Sequence, residues 1–175
     1  MNFINGIIAA RALILVGGFA FIYFGAFDVA ATAPDASVTR WALNTAMVQS
    51  VKSRAGSVKA PDQFTEDQVR TGFTEFNEMC VTCHGAPGKE RGEIGKGLNP
   101  RPPNLSRASK FWSSSELFWI VKHGVKMTGM PAFGPTHSDD RIWTIVAFLK
   151  QLTNMTPEQY GQMQQAPAEP HTHVH

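Results

Sequence analysis

The sequence predicts an all-α protein: a single N-terminal transmembrane helix, a juxtamembrane helix, and a small helical domain with unusually long loops. Three observations predict this. Residues 12–27, ALILVGGFAFIYFGAF, carry no charge. Helix-start patterns stand at Thr65-x-x-Gln68, Ser113-x-x-Glu116 and Ser138, ahead of segments that return apolar residues every three or four positions. Nowhere does the chain show a convincing strand or an internal repeat.

The apolar run comes first. Together with residues 3–11, FINGIIAAR, it spans the ~20 residues a membrane helix needs. Arg11 lies near its start, where a long side chain reaches the headgroups. Asp28 lies beyond its end. Positive charge at the N-terminal side orients Met1 to the cytoplasm and everything after Asp28 to the outside. The alternative is a cleaved signal peptide, with Ala31-Thr32-Ala33 as the small-residue site. Pro34 would then begin the mature chain, and the apolar core is long for a signal, so an uncleaved anchor is the expectation.

Residues 28–36, DVAATAPDA, read as an exit linker. Over 37–55, Val38, Trp41, Thr45 and Val48 share one helical face, with Leu43, Met47 and Val51 beside it, and Gly56 ends the pattern. This helix holds Arg40, Lys52 and Arg54 and no acid. It packs on the main domain or lies on a membrane or a partner subunit.

Pro61 opens the main domain. A helix is expected from about Glu66 to Met79, then a long loop over 85–109 rich in Gly, Pro, Arg and Lys. The segment SSELFWIVKH follows as a second helix, stopped by Gly124. A short turn, KMTGMPAFGP, leads to a third helix, DDRIWTIVAFLKQL, with Asp139 and Asp140 at its positive end. Thr156-Pro157-Glu158 begins a last short turn, and QQAPAEPHTHVH reads as a flexible tail. The expected divisions are an anchor over 1–28, a linker and amphipathic helix over 29–60, the main domain over 61–155 and the tail over 156–175.

A domain of this size buries a modest core, and its long loops need something to pack against. The only two cysteines, Cys80 and Cys83, stand three apart with His84 directly after. C-x-x-C-H is the attachment signature of c-type haem. Two thiols one helical turn apart reach one edge of a porphyrin, and the adjacent imidazole falls beneath the iron. A thioredoxin-type disulfide would want a βαβ context. Zinc would want a second ligand pair. An exported structural disulfide is poorly served by cysteines three apart at a helix end. One covalent haem c is therefore the expected cofactor.

Such an iron takes a sixth ligand, and a methionine thioether raises its potential. Met127 and Met130 both lie in KMTGMPAFG. Met130 heads the rigid apolar turn MPAF and is favoured over Met127. His123 and His137 read as surface or helix-end histidines. Leu98, Leu105, Phe111, Trp112, Leu117, Ile120, Val121 and Phe133 are candidates for the walls of the pocket. A ligating histidine usually gives its other nitrogen to a carbonyl, which a proline-rich loop can supply.

With CVTCH at 80–84 and GMPAF at 129–133, residues 62–155 resemble the class I c-type cytochromes of the bacterial membrane-anchored, mono-haem kind. The resemblance implies the class I cytochrome c fold, with loops wrapping the haem. In that family a glycine stands eight residues before the first cysteine and an aromatic four before it, as Gly72 and Phe76 do here. The last helix there sets an aliphatic residue and then an aromatic against that glycine, matching Ile145 and Phe148. RPPNL at 101–105 corresponds to the family's proline segment near the proximal histidine, with Pro102 or Pro103 in that role. The cofactor-binding residues so implied are Cys80, Cys83, His84 and Met130, with His84 and Met130 on the metal.

Two protein ligands leave no position for substrate, so the expected activity is one-electron transfer rather than enzymatic turnover. The expected place is the bacterial inner membrane, single-pass, with the haem domain in the periplasm. By resemblance, partners are a quinol-oxidising complex or dehydrogenase on one side and a terminal oxidase or reductase on the other. The alternative is a fixed cytochrome subunit of a larger membrane oxidoreductase. A third class, a peroxidase or gas sensor with a labile Met130, would reveal itself by binding carbon monoxide when reduced. Lys89, Arg91, Lys96, Arg101, Arg107, Lys110, Lys122 and Lys126 form a basic stretch that would steer an acidic redox partner. A net charge of only +2 argues against nucleic acid. His171, His173 and His175 alternate in the tail, where a weak copper or zinc site is the sharper reading and a loose tail the plainer one.

Overall fold

A computed structural model describes residues 3–165. The chain divides into two units, Met1–Asp35 and Ala36–His175. The first contains α1, Phe3–Tyr23, 21 residues long with no buried side chain. Its mean hydropathy of 2.0 and its length suffice to cross a membrane. At 1.5 Å per residue it spans about 31 Å, close to the thickness of a hydrocarbon core. Gly25, at φ +67°, turns the chain out of the helix.

Among its described residues the second unit has helices joined by loops and no strand, apart from one isolated bridge between Ala86 and Lys89. It runs α2 (Ser37–Ala55), α3 (Glu66–Glu75), a π-helical turn (Phe76–Cys80), α4 (Val81–His84), α5 (Glu93–Gly97), α6 (Leu105–Phe111), α7 (Ser114–His123), α8 (Asp139–Leu152) and α9 (Pro157–Gln165). The fold is the all-α one expected of a c-type cytochrome.

Local chemistry accounts for the boundaries. Thr65 and Ser113 each close a capping box, with Gln68 and Glu116 returning the bond to the cap's own N–H. Ser138 accepts from the Arg141 N–H, and Asp139 and Asp140 occupy the first turn of α8. Gly124, at φ +65°, stops α7 where an added Cβ would lie 2.6 Å from the Pro131 carbonyl carbon.

The core is the buried face of α8. Ile142, Ile145, Val146, Phe148, Leu149 and Leu152 meet Phe73 and Phe76 on one side and Leu117, Phe118 and Val121 on the other. Tyr160 of α9 closes the bottom, its ring 5.3 Å from that of Phe73. Its hydroxyl donates to Asn77 Oδ1 at 2.7 Å. α3 and α8 cross at Gly72, where a Cβ would lie 1.8 Å from the Thr144 carbonyl oxygen. Only hydrogen fits there.

Three local readings need correction. The stretch 85–109 is not one loop, since α5 lies within it and α6 begins in it. The helix opened by Thr65 continues to His84 rather than stopping at Met79, because the π-turn inserts a residue without breaking the run. The last turn is a nine-residue helix, α9. Along α2, the C-terminal half packs through Val51 and Ala55, and Ser115 Oγ donates to the Val58 carbonyl just beyond it. Val38, Trp41 and Leu43 in the N-terminal half are exposed. The tail histidines lie outside the described residues.

Candidate functional site

Cys80 ends the π-turn and Cys83 lies in the following turn, both half-buried free thiols. The Val81 N–H reaches back to the Phe76 carbonyl, the five-residue bond that defines the bulge. Burial, then the charges of Cys83 and Glu75, push the Cys80 thiol up to about 12. The chain then folds back over the motif. Gly85, at φ +69°, turns it, Ala86 and Lys89 exchange backbone bonds, and the Gly92 N–H donates to the Thr82 carbonyl at 2.9 Å. Gly95 presses on the Cys83 backbone, with its would-be Cβ 2.4 Å from the Cys83 oxygen.

His84 Nδ1 lies 2.8 Å from the Pro103 carbonyl oxygen. A carbonyl can only accept, so Nδ1 carries the proton and Nε2 keeps its lone pair. Burial lowers the His84 pKa; the Pro103 bond opposes this, and the Arg91 charge adds to it. The net lowering favours a neutral imidazole, and the Pro103 bond leaves Nε2 as its free donor nitrogen, the form that binds a metal.

The second arm grows from the end of α7. The Phe133 and Gly134 N–H groups donate to the carbonyls of Val121 and Lys122, which α7 itself leaves unpaired. Thr128 Oγ1 donates to the Val125 carbonyl at 2.6 Å and accepts from the Met130 N–H at 3.1 Å. Met130 is thereby pinned, half-buried, against the core. Met127 sits at φ +62° and is 78% exposed. Gly129 abuts Leu98, whose Cδ2 lies 2.4 Å from the would-be Cβ.

Met79, Val81, Leu105, Trp112, Met130 and Phe133 pack on the core yet remain partly uncovered. Two free thiols, an imidazole with a preset tautomer, a pinned thioether and these apolar walls are a donor set suited to haem. The residues fit the group. Among the described residues no cluster of three or more His, Cys, Asp or Glu is arranged to hold a metal ion.

Phe111 and His137 sit elsewhere than expected, whereas Leu117, Val121 and His123 do not. Phe111 is 61% exposed, and Leu117 and Val121 belong to the interior. His123 is exposed at the end of α7, its ring 4.8 Å from Trp119. His137 is not at the surface. Its side chain is 10% exposed, with Nε2 3.7 Å from Glu75 Oε2. Arg141 holds the other oxygen of that buried carboxylate, donating from Nε at 3.0 Å and from Nη2. Neither this cluster nor the π-turn has a readable signal in the sequence, since each depends on how α3 and α8 meet. The basic stretch is partly neutralised: Lys122 pairs with Asp139 at 2.6 Å and Lys96 with Glu90 at 3.4 Å.

Residues 67–149 match the family described as cytochrome c oxidase, cbb3-type, subunit III. No curated protein matches the chain. The matched segment spans the helices that carry both arms of the site and the helix they pack on.

Proposed function

We infer that residues 67–149, which match the cbb3-type subunit III family, form a c-type cytochrome domain that binds haem c and transfers electrons. We propose that the chain is a membrane-tethered one-electron carrier, with α1 as the anchor and the haem domain on the outer face of a bacterial inner membrane. Cys80 and Cys83 would hold one haem through thioethers, and His84 Nε2 and the Met130 sulfur would bind its iron. Haem, when bound, supplies an Fe(III)/Fe(II) couple. The protein's own part is to orient and to exclude. Pro103 holds the imidazole plane, Thr128 and the α7 carbonyls hold the thioether arm, and Trp112, Leu105 and Phe133 keep water from the ring. No side chain need move a proton. The proposed divisions are an anchor over 1–28, a linker and amphipathic helix over 29–60 and a haem domain over 61–155, to whose core α9 adds Tyr160.

One observation carries the reading: His84, next to Cys80 and Cys83, already gives its Nδ1 proton to the Pro103 carbonyl. The purified protein should give a c-type pyridine haemochrome, and the pigment should stay with the polypeptide in acidified organic solvent. Colourless protein, or extractable pigment, would refute the reading. Met130→Ala should abolish the sulfur-to-iron charge-transfer band of the oxidised protein, and Met127→Ala should leave it. The opposite pattern would reassign the ligand.

The family match favours a second reading, a fixed cytochrome subunit of an oxidase-like complex. Mild detergent extraction separates the two. Stoichiometric copurification with other subunits supports the fixed subunit, and isolation as a single polypeptide supports the carrier. Donors and acceptors would be a quinol-oxidising complex or dehydrogenase, and a terminal oxidase or reductase.

A further inference from the structure

The exposed strip along α2 is unaccounted for by the haem site. Val38, Trp41, Thr45 and Lys52 follow at spacings of three, four and seven, so they lie along one side of the helix. Val38 is 69% and Trp41 67% exposed, although only the lower half of the same helix is packed. At the far end Lys52 Nζ lies 5.4 Å above the ring of Phe111, a second exposed aromatic. Large aromatics left in solvent along one strip call for a cover.

Charge and tether indicate the kind of cover. α2 contains Arg40, Lys52 and Arg54 and no acid, and Arg107 and Lys110 flank Phe111. The nearest acids before the helix are Asp28 and Asp35 in the connecting segment. α1 ends at Tyr23 and α2 begins at Ser37, so residues 24–36 allow a reach of at most about 45 Å even when fully extended. An aromatic strip bordered by cations, tethered this close to the end of a membrane-length helix, has the chemistry of an interfacial segment.

We propose that the Val38–Trp41–Phe111 strip docks on an anionic lipid surface, with Trp41 and Phe111 at headgroup depth and Arg40, Lys52 and Lys110 against lipid phosphates. This rests on the reading of α1 as an anchor. Docking would hold the haem domain against the membrane rather than let it swing on its linker.

The test uses the full-length haem-loaded protein in nanodiscs, with hydroxyl-radical footprinting read residue by residue in a mass spectrometer. In phosphatidylglycerol discs, labelling of Trp41 and Phe111 should fall at least fivefold relative to phosphatidylcholine discs, with exposed Met127 unchanged as the internal reference. Arg40→Glu with Lys52→Glu should restore labelling while leaving the haem spectrum intact. Equal labelling in the two lipids overturns the proposal. So does protection seen only in native membranes and lost in phosphatidylglycerol discs, which would assign the strip to a protein partner. Release of the protein from membranes by alkaline carbonate would instead refute the anchor. Footprinting on added phosphatidylglycerol vesicles then decides the docking by itself: protection supports it and unchanged labelling overturns it.

Discussion

Replacing Gly72 by alanine tests the packing that places both arms of the site. The added carbon would lie 1.8 Å from the Thr144 carbonyl oxygen, 2.5 Å from its carbon and 3.0 Å from Phe148 Cβ. Such a contact needs at least 3.0 Å, so α3 and α8 must separate by about 1.2 Å. The obstacle is helix backbone, which cannot rotate aside as a side chain can. Separation loosens the Phe73, Phe76, Ile145 and Phe148 contacts together. Overpacking typically costs 1–3 kcal/mol, and a backbone clash belongs at the upper end. Alanine returns up to about 1 kcal/mol of helix propensity, too little to reverse the sign. We expect a net loss of about 2–3 kcal/mol, a fall in melting temperature of roughly 10 °C for a domain of this size. Gly161 is the control. It lies within α9 with nothing within 4 Å of its would-be Cβ, so Gly161→Ala should be neutral or mildly stabilising. Thermal unfolding of the haem-loaded variants by far-UV circular dichroism decides. A Gly72→Ala melting temperature within about 3 °C of the parent would refute the close-crossing argument.

The Tyr160 hydroxyl should give the domain an alkaline limb. Burial raises its pKa from 10.0 to about 12, against the opposing bond to Asn77. The folded state thus prefers the neutral phenol. That preference contributes fully below pH 10 and is lost as pH rises toward 12, by roughly 2–3 kcal/mol in total. Denaturant titrations across that range should show the loss, and Tyr160→Phe should flatten it while costing about 1 kcal/mol at neutral pH from the broken bond. Arg141→Met would strip the buried Glu75 carboxylate of its charged partner, and we expect a loss of about 1–3 kcal/mol. Arg141→Met combined with Glu75→Leu should cost less than Arg141→Met alone, as a double-mutant cycle would show.

What could be read in advance was local. Thr65, Ser113, Ser138 and Gly124 mark helix ends because their chemistry acts within four residues of themselves. The Cys80–Cys83–His84 spacing likewise needs no distant partner to be noticed. α5 and α6 escaped because five and seven residues carry too little periodicity against a background of Gly and Pro. Glu75 looks like an ordinary helix-surface acid until α8 brings Arg141, and the turn before α8 brings His137, to it, 66 residues away in the case of Arg141. Phe111 looks like a pocket wall by composition, and only the fold turns it outward.

The two backbone bonds from Phe133 and Gly134 into the end of α7 have a mechanical consequence. They make the thioether arm a continuation of a helix rather than a free flap. Lifting Met130 away would unzip the last turn of α7 at the same moment. With Met130 as the proposed iron ligand, loss of its sulfur on heating should therefore coincide with fraying at Lys122 and His123, one event seen by two probes, not an early detachment from an otherwise intact scaffold.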